Sequence, residues 1–368
     1  MERTPDEDQI KRMRTGFTTG ACAAAAAKAA ARLLVRGETL DRVQTTLPNR
    51  QRASFALQRC ERIGARAIAS VIKDAGDDPD CTHGAELVAE IELRAEPGVV
   101  ILGGAGIATV TKPGLGLPVG GPAINPVPRR NITEMVQEEL AHGAFGGAVV
   151  TLSVPRGEEI AKETLNARLG LLGGISILGT SGVVRPYSTA AYKASVIQAI
   201  DVASERGHRT LAVTTGGKSE AYAMKLHPEL SEDAFIQVGD FIGIALRRCV
   251  RRAIARVVIV GMIGKLSKMA NGKMQTHAAG SDVNMELLAE LAAELGGKAE
   301  LCAQIRVANT ARHVLELCSA AGLLGITARI CARVVDQCTR HVAGGCAVRA
   351  ELVDFDGRLL GAHPEAWA

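Results

Sequence analysis

At 368 residues and 47% hydrophobic composition, the chain is long enough for two packed cores and too apolar for a disordered or fibrous protein. Its formal charge of +4 is spread along the sequence, and one Trp, three Tyr and six Phe supply few stacking surfaces, which excludes the basic, aromatic-rich face of a nucleic-acid binder. No stretch reaches the ~18 consecutive apolar residues that span a bilayer; the longest, Ala21 to Ala31, is interrupted by Lys28, and neither a signal peptide nor a membrane anchor is expected.

Residues 1–13 are polar and charged and read as a mobile arm. Thr18 or Thr19 is placed to cap a helix over 21–35 that Gly37 ends. Short β-rich runs follow at 53–57, 65–72, 86–93 and 99–102, several alternating apolar with polar residues as in an antiparallel sheet with one buried face. Five prolines between Lys112 and Pro128 predict an ordered loop or linker. A helix over 132–140 and a strand over 148–154 complete an α+β domain spanning 1–168.

From Gly170 the rhythm becomes strand then helix, with strands over 175–178, 210–214, 235–238 and 257–260 and helices over 189–205, after Lys218 and over 241–253. Such alternation predicts a Rossmann-like parallel-sheet α/β domain over 169–368. Each strand runs into glycine at its carboxyl end, at Gly179, Gly216, Gly239 and Gly261, the edge where open α/β sheets bind ligands. Helices over 286–295 and 308–317 and a hairpin turning at Asp356-Gly357 close the chain.

Gly179-Thr180-Ser181-Gly182 offers backbone and hydroxyls to a ligand, although glycine is also the ordinary turn residue. With Gly216, and with Asp240 placed to bind a ribose diol, it forms the expected adenosyl-binding set; a helix N-cap accounts for Asp240 equally well. Neither a dinucleotide fingerprint nor a Walker pattern is present. Lys265, Lys268 and Thr276-His277 make a cationic loop suited to carboxylates, as are Arg12, Arg14, Arg129 and Arg130, whose planar forks bond two oxygens; each is also explicable as surface charge. Asp74, Asp77, Asp78 and Asp80 crowd one turn beside His83; they lack calcium-loop spacing, and Asp77, Asp78 and His83 are the acid–base candidates. Nine cysteines without a Cys-x-x-Cys pair suit a reducing cytoplasm, and no protein-bound metal is expected.

Six ordered blocks resemble the cobalt-precorrin-5B C1-methyltransferase (CbiD) family. They are Arg14 to Ala23 (RTGFTTGACA), Lys73 to Gly84 (KDAGDDPDCTHG), Thr111 to Arg129, Ile177 to Pro186, Val238 to Gly243 and Val260 to His277. Met262 stands where that family more often has His, and Asp240 where it often has Asn. The resemblance implies methyl transfer from S-adenosylmethionine to C1 of cobalt-precorrin-5B, giving cobalt-precorrin-6A. The anionic cobalt-corrinoid would lie in the cleft between the domains, chiefly on the side of the first, met by Thr18, Thr19, Arg129, Arg130, Lys265 and His277. A symmetric homodimer is the default for such an enzyme. Rival readings are a non-catalytic tetrapyrrole carrier and a nicotinamide-dependent oxidoreductase.

Overall fold

The computed structural model describes residues 7–277 and 282–367. The chain divides into two compact units, Met1–Thr189 and Ala190–Ala368. Residues 169–189, expected with the second domain, therefore fold with the first. Of the expected arm, residues 1–6 lie outside the described residues, and Glu7–Arg12 forms a short helix.

The first unit is built around the helix Thr19–Arg36. Thr18 caps it, accepting the Ala21 N–H at 3.2 Å, and Gly37 in the left-handed region ends it. Its alanines from Ala21 to Ala31 are all buried. Alanine has the strongest helix propensity and the smallest side chain to exclude neighbours, so this helix is surrounded rather than amphipathic. Around it pack the helix Pro126–Leu140 and the strands Arg66–Ile72 and Glu86–Arg94. Those strands belong to a five-stranded sheet in the order Arg59–Ile63, Arg66–Ile72, Glu86–Arg94, Gly147–Ser153, Gly98–Gly103. Its pairs are antiparallel except the last, which is parallel.

Lys28, Arg32 and Arg36 repeat every four residues along one stripe of the alanine helix, and that stripe meets Glu139 of the neighbouring helix. Glu139 is fully buried; Arg32 reaches it at 2.7 Å and Arg36 at 3.0 Å, while Lys28 pairs with Glu138 at 2.8 Å.

In the second unit five strands pair in the order Phe235–Gln237, Thr210–Thr214, Arg256–Gly261, Ala347–Val353, Leu359–His363. The first four are mutually parallel and the last is antiparallel. In chain order within this sheet they run 2-1-3-4-5. The helix Gly217–Leu226, which follows the first strand, packs on one face, where Ala223 joins Ala212 and Val260. The helices Ile242–Arg251 and Ile263–Ala270, which follow the second and third strands, pack on the other, with Val213 and Ile259. The loops leaving the first and third strands thus diverge to opposite faces, a topological switch point.

One expected strand of this sheet is absent from it. Gly174–Ile175 pairs parallel with Gly106–Ile107, and Ile177 bridges Ile124, all within the first unit. A four-residue run with three apolar residues signals a strand but carries nothing that selects its partner. The helix expected from 132 begins at Pro126, because proline lacks the N–H that a first helical turn leaves unpaired anyway. Among the described residues no helix is long and apolar enough to cross a membrane.

Across the parallel sheet, the buried Glu351 accepts from His227 at 2.8 Å and Arg349 at 2.7 Å. The Glu351 hydrogen bond raises the His227 pKa. Burial pushes the Glu351 carboxyl up, but its bonds to His227 and Arg349 outweigh that and leave it lowered.

Two predictions follow from these ion pairs. Glu139→Ala, which removes the buried carboxylate joining Arg32 and Arg36 while Lys28 keeps Glu138, should cost about 1–3 kcal/mol in denaturant unfolding. The His227 contribution is complete below the ordinary imidazole pKa of 6.5 and is lost as pH rises through the raised folded value. The Glu351 contribution is present above the ordinary carboxyl value of 4.5 and is lost as pH falls through the lowered one. The melting-temperature advantage of the unaltered protein over His227→Gln should therefore be largest between those two values and should shrink in alkali. An advantage independent of pH would contradict the pairing.

Candidate functional site

Four of the six sequence blocks converge in the first unit. The segment Arg14 to Gly20 lies between the acidic turn on one side and the loop 176–184 on the other. On the acidic side Arg14 forms a forked ion pair with Asp74, its N–H donates to Asp77 at 2.6 Å, and the Phe17 N–H donates to the Asp74 carbonyl at 2.7 Å. On the other side Gly16 and Phe17 pair with Val184 and Val183, and the N–H groups of Thr18 and Gly20 donate to the carbonyls of Gly182 and Leu178. The proline-rich block joins through Asn125, whose N–H donates to the Ile177 carbonyl at 2.9 Å, and through Pro128 beside Gly20.

Glycine is what allows these main chains to touch. A side chain on Gly16 would collide with the Ala75 carbonyl, and one on Gly76, at φ +70°, with the Arg14 carbonyl. Gly179, at φ +132°, lies against the Thr18 side chain.

The acidic turn is also internally bonded. Lys73, 1% exposed, donates to Asp80 at 2.6 Å, and Asp80 accepts from the Thr82 N–H and hydroxyl. Burial favours the neutral Asp80 carboxyl, but its bonds from Lys73 and Thr82 outweigh this and hold its pKa down. The Arg14 bond takes Asp74 down to about 2, whereas burial raises Asp78, which accepts the Tyr187 N–H at 2.8 Å. His83 Nδ1 accepts the Ala75 N–H at 3.1 Å, which places the proton of the neutral ring on Nε2. Beside this turn lies a cavity of about 300 Å³ lined by Phe17, Cys22, Phe55, Leu57, Val71 and Asp74 among others, with the two phenyl rings 4.5 Å apart.

The expected site residues of this unit are thus largely engaged by the protein itself. Thr18 caps its helix, and Thr19 Oγ1 bonds the 176–178 backbone, accepting the Leu178 N–H at 2.9 Å. Thr180 is exposed, and Ser181 Oγ donates to the Val183 carbonyl. Arg129 is half-buried with its guanidinium 3.5 Å from the Ile101 carbonyl, and Arg130 is exposed.

The remaining two blocks meet in the second unit, at the carboxyl edge of its sheet. Lys265 Nζ donates to the Thr215 carbonyl at 2.8 Å and pairs with Asp240 Oδ1 at 3.1 Å. Thr276 Oγ1 donates to the same carboxylate at 2.8 Å, and Lys268 Nζ donates to the Thr276 carbonyl at 3.2 Å. Half-burial pushes Asp240 up, but Lys265, Thr276 and the exposed His277 together hold its pKa below the ordinary range. The expected set is therefore divided: Gly216 and Asp240 lie on this edge, whereas Gly179–Gly182 belongs to the first unit, because the strand before it joined another sheet.

Tyr192, missed in the sequence, stands on the same edge. Its hydroxyl donates to the Gln237 carbonyl at 3.3 Å, its ring tilts against Phe241, and burial together with Asp240 and Glu220 raises its pKa. Its signal was scarcity, as one of three tyrosines in the chain. Among the described residues no group of three or more His, Cys, Asp or Glu is arranged to hold a metal ion.

Mixed parallel and antiparallel sheets bearing glycine-lined loops with clustered charges define an α/β enzyme of two units. Comparison with known proteins assigns the family. A family model described as CbiD matches residues 6–186, and a model of the CbiD C-terminal domain matches 275–364. The chain is 55% identical over 351 residues to the cobalt-precorrin-5B C(1)-methyltransferase of Leptospira interrogans, covering 95% of this chain and 96% of that one. It is 52% identical over 360 residues to that of Rubrobacter xylanophilus, covering 97% and 92%. The crystal structure of a cobalamin biosynthesis protein (cbiD) from Archaeoglobus fulgidus aligns at 28% identity and a TM-score of 0.38, covering 74% of this chain and 91% of that one. The chain belongs to the CbiD family.

The glycine contacts carry a direct test. Gly16→Ala forces the 14–17 and 74–77 main chains apart and should cost about 3 kcal/mol in stability. Gly37→Ala, where no atom lies near the added methyl, meets only the strain of a positive φ and should cost about 1 kcal/mol. Equal losses in paired denaturant melts would argue against close approach as the constraint.

Proposed function

We propose that the protein transfers the methyl group of S-adenosylmethionine to C1 of cobalt-precorrin-5B, yielding cobalt-precorrin-6A in corrin-ring synthesis. The observation that carries this reading is 55% identity over 95% of the chain to a relative named for C1 methylation of that substrate. In the transfer an electron-rich ring carbon forms the new C–C bond as the S–CH₃ bond breaks. The electron pair of that bond goes to sulfur, leaving neutral S-adenosylhomocysteine, and the positive charge passes to the methylated macrocycle. The protein's task is alignment and exclusion of water, because the leaving group needs no proton.

The donor is assigned to the second unit, read as a Rossmann-like domain. Support comes from the 2-1-3-4-5 strand order and its switch point, where ligands of open α/β sheets bind. Gly216 and Gly217 open a helix without a side-chain cap, leaving N–H groups for the donor's carboxylate, and Asp240 is placed for the ribose. The anionic macrocycle is assigned to the first unit, where the phenyl-walled cavity offers an apolar face for a ring edge and Arg129 and Arg130 offer charge. The nine cysteines are all free, which suits work in the cytoplasm.

Gly216 supplies a selective test. Its φ of 166° is extended backbone open to any residue, and nothing lies within 4 Å of an added Cβ. Gly216→Leu should therefore fold normally while obstructing the donor. Calorimetric titration should show S-adenosylhomocysteine binding to the unaltered protein and at least about tenfold weaker binding to the variant. Binding by neither, with macrocycle present, would remove the donor assignment and favour the carrier.

A further inference from the structure

We propose that Lys265 is a positioning residue that locks the donor-binding edge, and not a ligand for the macrocycle's carboxylates. The inference rests on the donor assignment above and deepens it.

Lys265 occupies the first turn of the helix Ile263–Ala270, a turn that contains no acidic residue. A cation there opposes the helix dipole, whose positive end lies at the amino terminus. Its position is therefore unfavourable for the helix alone and has to be explained by what the ammonium reaches. It reaches the Thr215 carbonyl at 2.8 Å, in the loop after the first strand, and Asp240 Oδ1 at 3.1 Å, in the loop after the second, while its own helix follows the third. One side chain thus ties together three loops on both sides of the switch point.

The lock has a second layer. Thr276 binds Asp240 through both its hydroxyl, at 2.8 Å, and its N–H, which donates to the Asp240 carbonyl at 3.1 Å. Lys268 holds the Thr276 carbonyl at 3.2 Å. The helix thereby fixes the loop 271–277 across the edge, and the Gly243 N–H, donating to the Met274 carbonyl at 3.0 Å, adds a further tie.

Charge gives the lock a function beyond shape. The methyl donor carries a sulfonium cation, and an unpaired ammonium at this edge would repel it. Paired with Asp240, Lys265 is neutralised and keeps the carboxylate ionised and oriented. The other titratable group acting on Asp240 is His277, which also favours its charged form, while Asp240 and Glu220 act in turn on Tyr192 and raise its pKa.

The test is calorimetric titration of the full chain with S-adenosylhomocysteine from below the ordinary carboxyl value of 3.8 up to neutral pH. Lys265→Met should weaken binding about tenfold at neutral pH, the size of a lost hydrogen bond to a charged group. The acidic limb of its binding profile should also move to higher pH, because Asp240 loses its main counter-charge. Lys265→Arg, which keeps a cation, should restore the profile and most of the affinity. If Lys265→Met does not fold, Lys265→Gln, which keeps a donor for Thr215, carries the same comparison. Binding by the Met or Gln variant equal to that of the unaltered protein, or weakened with an unmoved acidic limb, would overturn the inference. Absence of binding by the unaltered protein would overturn the donor assignment, and this inference with it.

Discussion

The first unit depends on one constraint, the contact of two main chains with no side chain between them, at Gly16 against Ala75 and Gly76 against Arg14. Only at that separation can the Phe17 N–H reach the Asp74 carbonyl while the opposite edge of the same segment pairs with Val183 and Val184. The segment then delivers Thr18 to the end of the alanine helix as its cap. A helix of small side chains can be buried on all sides, so a displacement at its start would be transmitted to the sheet and to the helix Pro126–Leu140 together. The ion pair of Arg14 with Asp74 lies over this junction and reinforces a position that the glycines make possible.

How much of this was legible followed from where the information resides. The alanine helix is a long run of the strongest helix former and the strand–helix alternation from 210 to 261 repeats over many residues, and both lie within a residue or two of expectation. The segment 175–178 was recognisably extended, but partner choice depends on residues far away in sequence, and its partners proved to be Gly106–Ile107 and Ile124. That single error also placed the Gly179–Gly182 loop on the wrong sheet. The six blocks identified the family, yet their spacing in sequence did not reveal that four assemble in one unit and two in the other. Lys265 was legible as a cation beside glycine; that its charge is spent on Thr215 and Asp240 was not, because both partners come from loops more than twenty residues upstream.

The two units handle buried charge in the same manner. Glu139 among Arg32, Arg36 and Lys28, Lys73 against Asp80, and Glu351 between His227 and Arg349 are each compensated within hydrogen-bonding distance or close to it. Such pairs contribute little net stability over apolar residues of equal volume, but the loss of one partner is costly. They join helix to helix at Glu139, close a turn at Lys73 and Asp80, and tie the end of a helix to a strand at His227 and Glu351. The pair of Lys265 and Asp240 is only partly buried, and it stands where the sheet's loops diverge instead of between packed elements.

This distinction bears on the chemistry. Asp77 and Asp78 each accept a main-chain N–H, and His83 accepts one at Nδ1, so the residues that resembled an acid–base centre are the ones that shape the turn. The proposed transfer from a sulfonium asks no proton of the leaving sulfur, which becomes neutral by keeping the bonding pair. The barrier is then lowered chiefly by holding two large partners in line, a task for rigid loops. An acidic turn whose carboxylates bond Arg14, Lys73, Thr82 and Tyr187, and a sheet edge tied across three loops by one ammonium, are both suited to that work.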